Sequence, residues 1–408
     1  MSAAVPVLMY HSVGRVVPNW DWAYLTVPWR TFEEHLERLA RARYRTVDLA
    51  QLHDHVSGRK PLTGKSVVLT FDDGYVDNWT YVYPLLKKHG FSATVVVTPE
   101  FVDTRDIVRP TLEDVWSKQA SETSLESLGY MSWKELRRAS DEGILSVQSH
   151  ALTHTWYPTG PEIVDFHHPG DAHYWLDWNA RPEKKPYYLE SLGQSGVPWG
   201  VPVYEHAKSL EATRYFPDPA ESQRLVSYVV SHCGRDFFTR SDWRDRLQEV
   251  VTQWRAHHPP TEHYEAGDER RQRLLTELEE SKRIIESRLG KEVHSMFWPG
   301  GGYDDESLSL AQTVYRSVTI SGKVRWRLSN TPGEDPAHIS RRGVPFVDTD
   351  RWRAYTGGDY LVWFLNEQRG RLFARGFRQF QKLLYVLGAR TGAWPRAGSI
   401  ERIPLPRG

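Results

Sequence analysis

Two adjacent carboxylates follow an apolar run in the first third of the chain. In VVLTFDDGY (67–75), the run ends at Phe71 and is followed by Asp72, Asp73 and a glycine. If the run is a barrel strand, both carboxylates project into the mouth, where barrel proteins build their sites. Neighbouring carboxylates repel one another unless a cation or a shared proton relieves the charge, which favours one as a ligand and the other as a base. The competing interpretation is a solvated turn, because Asp-Asp-Gly is ordinary loop sequence.

Two histidines follow a second apolar run. His150 and His154 lie in SHALTH (149–154), directly after ILSVQ. Imidazoles four residues apart can share one metal ion if the backbone turns helically between them, although a chain with 17 His also produces this spacing by chance. Together with Asp73 they make a mixed nitrogen and oxygen site that leaves positions for water and substrate, which suits Lewis-acid hydrolysis. The combination predicts a divalent metal cofactor: the ligand set favours Zn2+, and Co2+ or Ni2+ would also fit.

Strands and helices must bring these distant residues together. Short apolar or β-branched runs alternate with amphipathic stretches, which is the pattern of an α/β fold around a mostly parallel sheet. Capping boxes predict helix starts at Thr31 and at Ser132, each with a Glu three residues later, and helical spacing runs from 268 to 289 with Gly290 as its C-terminal cap. The predicted strands are 6–10, 66–71, 93–98, 144–149, 293–298, 317–321 and 339–346.

Periodicity fades between residues 156 and 263. This segment is rich in Pro, Gly, Trp and His and is predicted to be a large irregular insertion that shapes the substrate cleft. The regular unit then comprises residues 1–155 and 264–350, and residues 351–408 form a basic amphipathic C-terminal extension.

The extension has apolar residues at helical intervals between residues 370 and 396. They are Phe373, Phe377, Phe380, Leu383, Leu384 and Leu387. A basic amphipathic helix of this kind either lies on an anionic membrane surface, as a peripheral contact, or packs its apolar face on the rest of the protein. The sequence leaves both alternatives open.

Composition and charge argue against several classes of function. Lys+Arg and Asp+Glu balance at 52 each, so the chain lacks the basic field that attracts nucleic acid. The single cysteine, Cys233, cannot form an internal disulfide or a cysteine metal cluster. The sequence shows no charged leader with an apolar stretch, and no segment approaches the roughly 20 apolar residues of a membrane span. We therefore expect a cytoplasmic protein, at the inner membrane face if the extension binds lipid.

Three motifs together resemble the polysaccharide deacetylases, the NodB-like group also called carbohydrate esterase family 4. TFDDG (70–74) is similar to the first family motif, and the 150–154 stretch is similar to its H(S/T)xxxH motif. FWPGGGYDD (297–305) resembles the RxPxG stretch. With the opening VPVLMYHSVG, the resemblance covers roughly residues 5–155 and 265–347. It is nearest to the branch that acts on poly-N-acetylglucosamine-like exopolysaccharides.

The resemblance implies a distorted (β/α) barrel of the polysaccharide-deacetylase type with the insertion described above. It implies that Asp73, His150 and His154 hold the metal and that Asp72 activates the attacking water. The segment after the helix 268–289 would bind the oxyanion and the substrate. The residues of that segment are Gly300, whose amide would bind the oxyanion, Gly301 and Tyr303.

Two departures from the family pattern stand out. The family arginine that orients the base falls at Phe297, so that contact is missing or comes from elsewhere, with Arg341 and Arg342 as candidates. The general-acid histidine has no clean match, and His11 and His338 are the candidates for it, each against the alternative of a structural histidine.

The substrate is predicted to be a carbohydrate, polymeric or lipid-linked, from which the protein removes N-acetyl groups during exopolysaccharide or cell-envelope biosynthesis. A cytoplasmic location favours a precursor over a finished polymer. The same site could instead cleave an O-acetyl ester or a small amide. A different class is a non-catalytic glycan-binding protein that uses its Trp-rich insertion as a surface.

Overall fold

The architecture follows from a computed structural model of the 408-residue chain. The structure describes residues 4–171, 173–179, 181–191, 196–258, 261–320, 329–348, 352–391 and 401–405. Three parts of the sequence predictions lie outside the described residues: Ser321, residues 392–396 and the side chain of Leu387.

The strands of the described chain are short. They are β1 (Val7–Tyr10), β2 (Ser12–Gly14), β3 (Thr26–Pro28), β4 (Tyr44–Thr46), β5 (Lys65–Phe71), β6 (Ala93–Val97), β7 (Leu145–Ser149), β8 (Trp156–Phe166), β9 (Pro202–Lys208), β10 (Tyr215–Phe216), β11 (His263–Tyr264), β12 (Ser295–Met296), β13 (Ser317–Ile320), β14 (His338–Ser340), β15 (Arg342–Gly343), β16 (Phe346–Asp348), β17 (Trp352–Tyr355) and β18 (Ile403–Pro404).

The helices lie mostly between these strands. They are α1 (Trp29–Arg41), α2 (Leu49–Val56), α3 (Tyr83–His89), α4 (Leu112–Trp116), α5 (Trp133–Asp141), α6 (Pro219–Ser231), α7 (Trp243–His257), α8 (Gly267–Leu289), α9 (Asp305–Val314), α10 (Gly358–Gln368) and α11 (Leu372–Thr391). A π-helical turn, Asn78–Val82, precedes α3, and short 3-10 helices include Pro99–Phe101 and Pro299–Gly301.

Parallel strands form a nearly closed barrel. Within the described ranges, nine strands make one sheet in the order β14-β13-β12-β7-β6-β5-β1-β15, with β4 added beside β5, and every pair in it is parallel. β14 and β15 end this order on opposite sides, yet only Arg341 separates them along the chain. One short segment therefore pairs with β13 and with β1, and closes the barrel. The predicted distorted (β/α) barrel is confirmed.

Two of the three predicted helix boundaries are confirmed. The Ser132 side chain accepts from the Glu135 amide at the start of α5, and α8 ends at Gly290, which has a φ of 67°. The prediction for Thr31 is wrong, because α1 begins at Trp29 and Thr31 lies within its first turn. Pro28 precedes that helix with a φ of −53°, so the restricted proline backbone starts the helix earlier than the capping pattern indicates.

The segment after residue 155 contains more regular structure than its composition predicts. β8 and β9 pair antiparallel, and α6 and α7 follow them. The pairing of β8 shifts register between Pro158 and Ile163 and again between Ile163 and Asp165, which breaks the period-two alternation by which a strand is predicted. The segment also has an apolar cluster of its own. Its buried members are Phe166, Leu225, Val229, Phe237, Trp243, Leu247, Val250 and Val251.

The C-terminal segment adds an α-helical hairpin to the outside of the barrel. The amide of Gly358, the first residue of α10, donates to Glu34 Oε1 of α1 at 3.1 Å, and Arg38 pairs with Asp359 at 3.3 Å. None of the helices in the described part of the chain combines the length and the apolar character needed to cross a bilayer.

Candidate active site

The barrel strands present alternate residues to two different apolar clusters. Leu8 of β1 and Leu69 of β5 belong to the large cluster that includes the buried faces of the surrounding helices. Val7 and Val68, one position earlier in each strand, belong to a smaller cluster with Ile339. Side chains alternate between the two faces of a strand, so the smaller cluster marks the inner face of the barrel.

The same alternation brings four polar residues to the inner face at the carboxyl ends of the strands. His11 and Asp72 continue the inner-face series of β1 and β5 by an even number of residues, and Arg341 continues that of Ile339. His150 follows β7 on the face opposite to Val147, which belongs to the outer cluster. The mouth of the barrel therefore receives side chains from four separate strands.

Three potential metal ligands converge at this mouth. One ligand atom each from Asp73, His150 and His154 lies within 4.8 Å of the others. Asp73 Oδ1 is 3.2 Å from His150 Nε2 and 3.5 Å from His154 Nε2. These are spacings that a single small cation can bridge with bonds of about 2 Å.

The second nitrogen of His150 is fixed by the backbone. Its Nδ1 lies 2.9 Å from the Phe297 carbonyl oxygen, which can only accept, so Nδ1 carries the proton and donates it. The lone pair of Nε2 then faces Asp73 and His154. A ligating histidine usually has its other ring nitrogen oriented in this way.

The charge states of the other two ligands also suit a cation. Burial lowers the pKa of His154 to about 4 against a smaller opposing effect of Asp73, so its imidazole is neutral near pH 7. Burial alone would raise the pKa of Asp73, but the neighbouring His150 and His154 outweigh it, so the pKa lies below the usual range for aspartate. A neutral imidazole and a carboxylate are the forms that bind metal.

The backbone is held in left-handed conformations at both ends of the ligand set. Asp73 has a φ of 72° and His154 a φ of 49°, and Ala151 between the two histidines has a φ of 59°. The stretch 150–155 is therefore not helical, and an irregular loop rather than a helical turn brings His150 and His154 together. A non-glycine residue in this region costs free energy and persists only where the surroundings enforce it, which is common at functional sites.

Two buried charged side chains support the loop between the histidines. Glu277 of α8 accepts from the amides of Leu152 and Thr153 at 3.1 and 3.0 Å, and from the Thr153 hydroxyl. Lys185, from the segment after residue 155, donates to the Thr153 carbonyl at 2.9 Å and to Thr155 Oγ1 at 3.2 Å. Both side chains are almost fully buried. They hold the loop from two distant parts of the chain, and sequence reasoning identified neither, because neither belongs to a local motif.

Asp72 is paired with an arginine rather than with the ligand histidines. Arg341 Nη1 donates to Asp72 Oδ1 at 2.6 Å, and its guanidinium carbon lies 4.9 Å from the centroid of the Phe297 ring. Burial alone would raise the pKa of Asp72, but Arg341, His150 and His11 outweigh it and lower the pKa. Arg342, the other arginine considered, is exposed. Phe297 therefore forms the surface against which the arginine between β14 and β15 is packed.

The two histidines considered as general acid lie at different places. His11 Nε2 is 3.9 Å from Asp72 Oδ2, and its side chain is partly exposed at the mouth. His338 is the first residue of β14 and pairs with Val318 near the start of β13, so it lies at the amino ends of the strands, with Gln312 and Asp335 as neighbours. The structure does not bring His338 to the site, because a parallel barrel places the two ends of a strand on opposite faces.

The glycine segment after β12 has the expected special backbone. Gly300 and Gly301 have φ values of 52° and 74°, which favour glycine. Lys208 of β9 crosses this segment and donates to the Gly300 carbonyl. Tyr303 is largely buried and stacks on Trp298 with a centroid distance of 4.9 Å, so its ring serves packing.

Aromatic side chains form one wall beside the ligands. A small cavity is lined by Trp22, Asp73, Tyr75, Thr98, Phe101, Tyr130, His154 and Trp178. Phe101 and Trp178 both approach the His154 ring edge-on, with centroids 6.1 and 6.2 Å from it. Trp178 comes from the segment after residue 155, so that segment contributes directly to the surroundings of the site.

A family model and several known proteins are similar to parts of this chain. The polysaccharide deacetylase family model matches residues 59–166, which include Asp72, Asp73, His150 and His154. The chain is 38% identical over 93 residues to YxkH of Bacillus subtilis (strain 168), covering 23% of this chain and 31% of that protein. It is 26% identical over 169 residues to the poly-beta-1,6-N-acetyl-D-glucosamine N-deacetylase of Escherichia coli (strain K12), covering 41% of this chain and 21% of that protein. The matches thus span less than a third of either relative.

A solved structure shares the fold over most of its length. The BpsB deacetylase domain of Bordetella bronchiseptica superposes with a TM-score of 0.50 at 18% sequence identity. The superposition covers 84% of this chain and 96% of that one. At this identity the likeness concerns the fold alone.

Proposed function

We propose that the chain is a metal-dependent hydrolase that removes N-acetyl groups from an amino-sugar glycan or glycan precursor, and the polysaccharide deacetylase family model that matches residues 59–166 supports this proposal. One observation carries the proposal: ligand atoms of Asp73, His150 and His154 lie within 4.8 Å of one another, beside a carboxylate held ionised by Arg341. The donor set of two imidazoles and one carboxylate suits Zn2+, and also Co2+ or Ni2+. When bound, the cation would polarise the acetamide carbonyl and lower the pKa of water.

Asp72 is the base in this proposal. Its lowered pKa keeps it ionised near neutral pH, so it can accept a proton from the attacking water. Arg341 fixes its orientation and leaves Oδ2 directed toward the His11 side. The two adjacent aspartates take different roles because they have different partners. Asp73 lies beside histidines, whereas Asp72 pairs with an arginine.

His11 is the general acid that we favour. When the C–N bond of the acetamide breaks, the sugar nitrogen must gain a proton, and His11 lies at the same mouth, 3.9 Å from Asp72. The products are acetate and a free amino sugar. The amide of Gly300 would donate to the oxyanion in the transition state. Trp22, which is partly exposed beside the ligands, offers flat apolar surface for a sugar ring.

The test measures acetate released from N-acetylated glucosamine oligomers by the zinc-loaded protein and by Asp72→Asn. Loss of a general base lowers the rate by roughly two to four orders of magnitude. We expect that loss with bound zinc unchanged, whereas His150→Ala and His154→Ala lose zinc. Asp106→Asn, an exposed aspartate, is the matched control and should behave as the parent protein.

The substrate series separates the alternatives. Oligomers that carry O-acetyl groups, and small amides, are assayed in parallel. Faster acetate release from the O-acetyl series would replace the amide assignment with an esterase. Full N-deacetylase activity of Asp72→Asn would disprove the mechanism. Binding of glycan without any acetate release, unchanged in Asp72→Asn, would identify a non-catalytic glycan-binding protein.

A further inference from the structure

The last helix of the hairpin leaves an apolar face uncovered. α11 packs on α10 through Ala374, which is fully buried, and through the stacked rings of Phe377 and Trp363, whose centroids are 4.7 Å apart. Tyr385 accepts a hydrogen bond from the Gly357 amide at 2.8 Å, and Arg378 pairs with Glu367. These contacts fix α11 antiparallel to α10 and determine which of its faces points outward.

The outward face is aromatic. Phe373, Phe377, Phe380 and Leu383 have exposed fractions of 59, 55, 60 and 54%. At about 100° per residue, the three phenylalanines fall within an arc of about 60° on the helix. These four side chains are therefore not covered by the rest of the protein, as the alternative of an apolar face packed on the barrel would require. Contiguous exposed apolar side chains of this size mark an interaction surface.

The charge of the helix indicates the kind of partner. Residues 369–391 contain six Arg or Lys and neither Asp nor Glu, whereas the whole chain has a formal net charge of zero. Arg375 and Lys382 are exposed and, by helical geometry, lie on the side of α11 away from the phenylalanines. An apolar face with a basic opposite face is the pattern of a helix that lies in the plane of an anionic membrane surface.

We propose that α11 docks on an anionic lipid surface, with Phe373, Phe377 and Phe380 entering the boundary between headgroups and acyl chains. Trp363 stacks on Phe377 at the edge of this face, where an indole ring favours the interface between water and lipid. A second copy of the chain fits less well, because pairing two α11 faces would bring two basic helices without acidic residues together. The proposal does not depend on the hydrolytic function.

Vesicle flotation with the full chain tests the proposal. One set of vesicles contains phosphatidylcholine alone. The other contains phosphatidylcholine with roughly one third phosphatidylglycerol, which supplies the anionic surface. We expect binding to the anionic vesicles, weaker binding at high salt, and at least about tenfold weaker binding of the triple variant Phe373→Ser, Phe377→Ser, Phe380→Ser. The double variant Val164→Ser, Val230→Ser removes exposed apolar residues elsewhere and should bind as the parent does.

Further variants keep the test decisive. Arg375→Gln with Lys382→Gln should weaken binding to anionic vesicles and leave the behaviour with neutral vesicles unchanged. Asp72→Asn should float as the parent does, so that loss of hydrolysis and loss of docking are distinguished. If the triple variant is unfolded by circular dichroism, Phe380→Ser alone replaces it, because this ring is the most exposed of the three.

Two outcomes would overturn the proposal. One is equal flotation of the parent and a folded phenylalanine variant. The other is a parent that is dimeric by light scattering and does not bind vesicles, with the phenylalanine variant monomeric, which would assign the face to contacts between copies of the chain.

Discussion

Arg341 reaches Asp72 from the residue at which the barrel closes. It separates β14 from β15, and its Nη1 donates to Asp72 Oδ1 at 2.6 Å across 269 positions of sequence. The change of partner strand at this residue, from β13 to β1, aims its side chain into the mouth. The closure of the fold and the orientation of the proposed base therefore depend on the same residue.

Removal of this guanidinium should reduce turnover without loss of metal. A hydrogen bond to a charged group contributes about 2 kcal/mol, which corresponds to roughly thirtyfold in rate. We expect Arg341→Met to lower kcat by about that factor, with KM and zinc content little changed. Arg342→Met is the matched control, because its neighbouring side chain is exposed. Equal effects of the two substitutions would contradict the role of Arg341.

The buried lysine behind the histidine loop should control metal affinity. Lys185→Met removes the donor to the Thr153 carbonyl and to Thr155, and it leaves Glu100 without its ion-pair partner. Substitutions of groups that orient metal ligands typically weaken metal binding by about 10- to 100-fold. We expect a loss in this range in a competition titration against a zinc chelator. Lys184→Met, an exposed neighbour, should bind zinc as the parent does.

The role of Glu277 in holding the same loop can be tested separately. Glu277→Gln keeps the size of the side chain, but its amide group offers only one oxygen acceptor where the carboxylate oxygens receive three hydrogen bonds. We expect weaker zinc binding and a lower midpoint in urea unfolding. Unchanged zinc affinity in a folded Glu277→Gln protein would show that the loop is held in place without it.

The glycine after the two aspartates is required for a steric reason as well as for its backbone. Gly74 has a φ of 71°, and a Cβ there would lie 2.9 Å from Val97 Cγ1. Gly58 has a φ of 75° with nothing within 4 Å of such an atom. Gly58→Ala should therefore lower the free energy of unfolding by about 1 to 2 kcal/mol, because of the left-handed backbone alone, and Gly74→Ala should lower it further. Urea unfolding of both variants measures the difference. Equal losses of unfolding free energy would show that the contact with Val97 has no effect on stability.

A buried histidine between the barrel and the C-terminal segment predicts acid sensitivity. His35 Nε2 donates to the Thr356 carbonyl at 2.7 Å, and its Nδ1 accepts from the Tyr10 hydroxyl at 3.0 Å. Burial lowers the pKa of His35 from 6.5 to about 4, against a smaller opposing effect of the Thr356 carbonyl. The folded state therefore binds this proton less tightly than the unfolded state, and its stability falls as the pH falls from 6.5 toward 4.

The size of this effect follows from the pKa difference. A shift of this size corresponds to about 3 kcal/mol of unfolding free energy lost across that interval. His35→Gln should be less stable than the parent near pH 7, but its free energy of unfolding should change less between pH 6.5 and 4. His257→Gln, which removes an exposed histidine, should keep the slope of the parent. An unchanged slope in His35→Gln would assign the acid sensitivity to other groups.

The locally encoded features of this protein could be predicted from its amino-acid sequence. Apolar runs predicted most of the barrel strands, although β4 was not predicted and the predicted strand 339–346 is divided between β14, β15 and β16. Ser132 and Gly290 predicted helix ends, and adjacency placed Asp72 and Asp73 together after one strand. Each of these signals depends on residues a few positions apart. The register shifts in β8 and the start of α1 at Trp29 were missed, because a bulge and a proline override the local pattern.

Which distant side chains meet depends on the tertiary fold. The pairing of Asp72 with Arg341, the support of the histidine loop by Glu277 and Lys185, and the separation of His338 from the mouth all depend on strand order and closure. No local pattern carries this information, because the geometry of a closed parallel barrel sets which strand ends become neighbours. The chemistry of the individual residues was readable from the chain, and their grouping was fixed by the packing of the sheet.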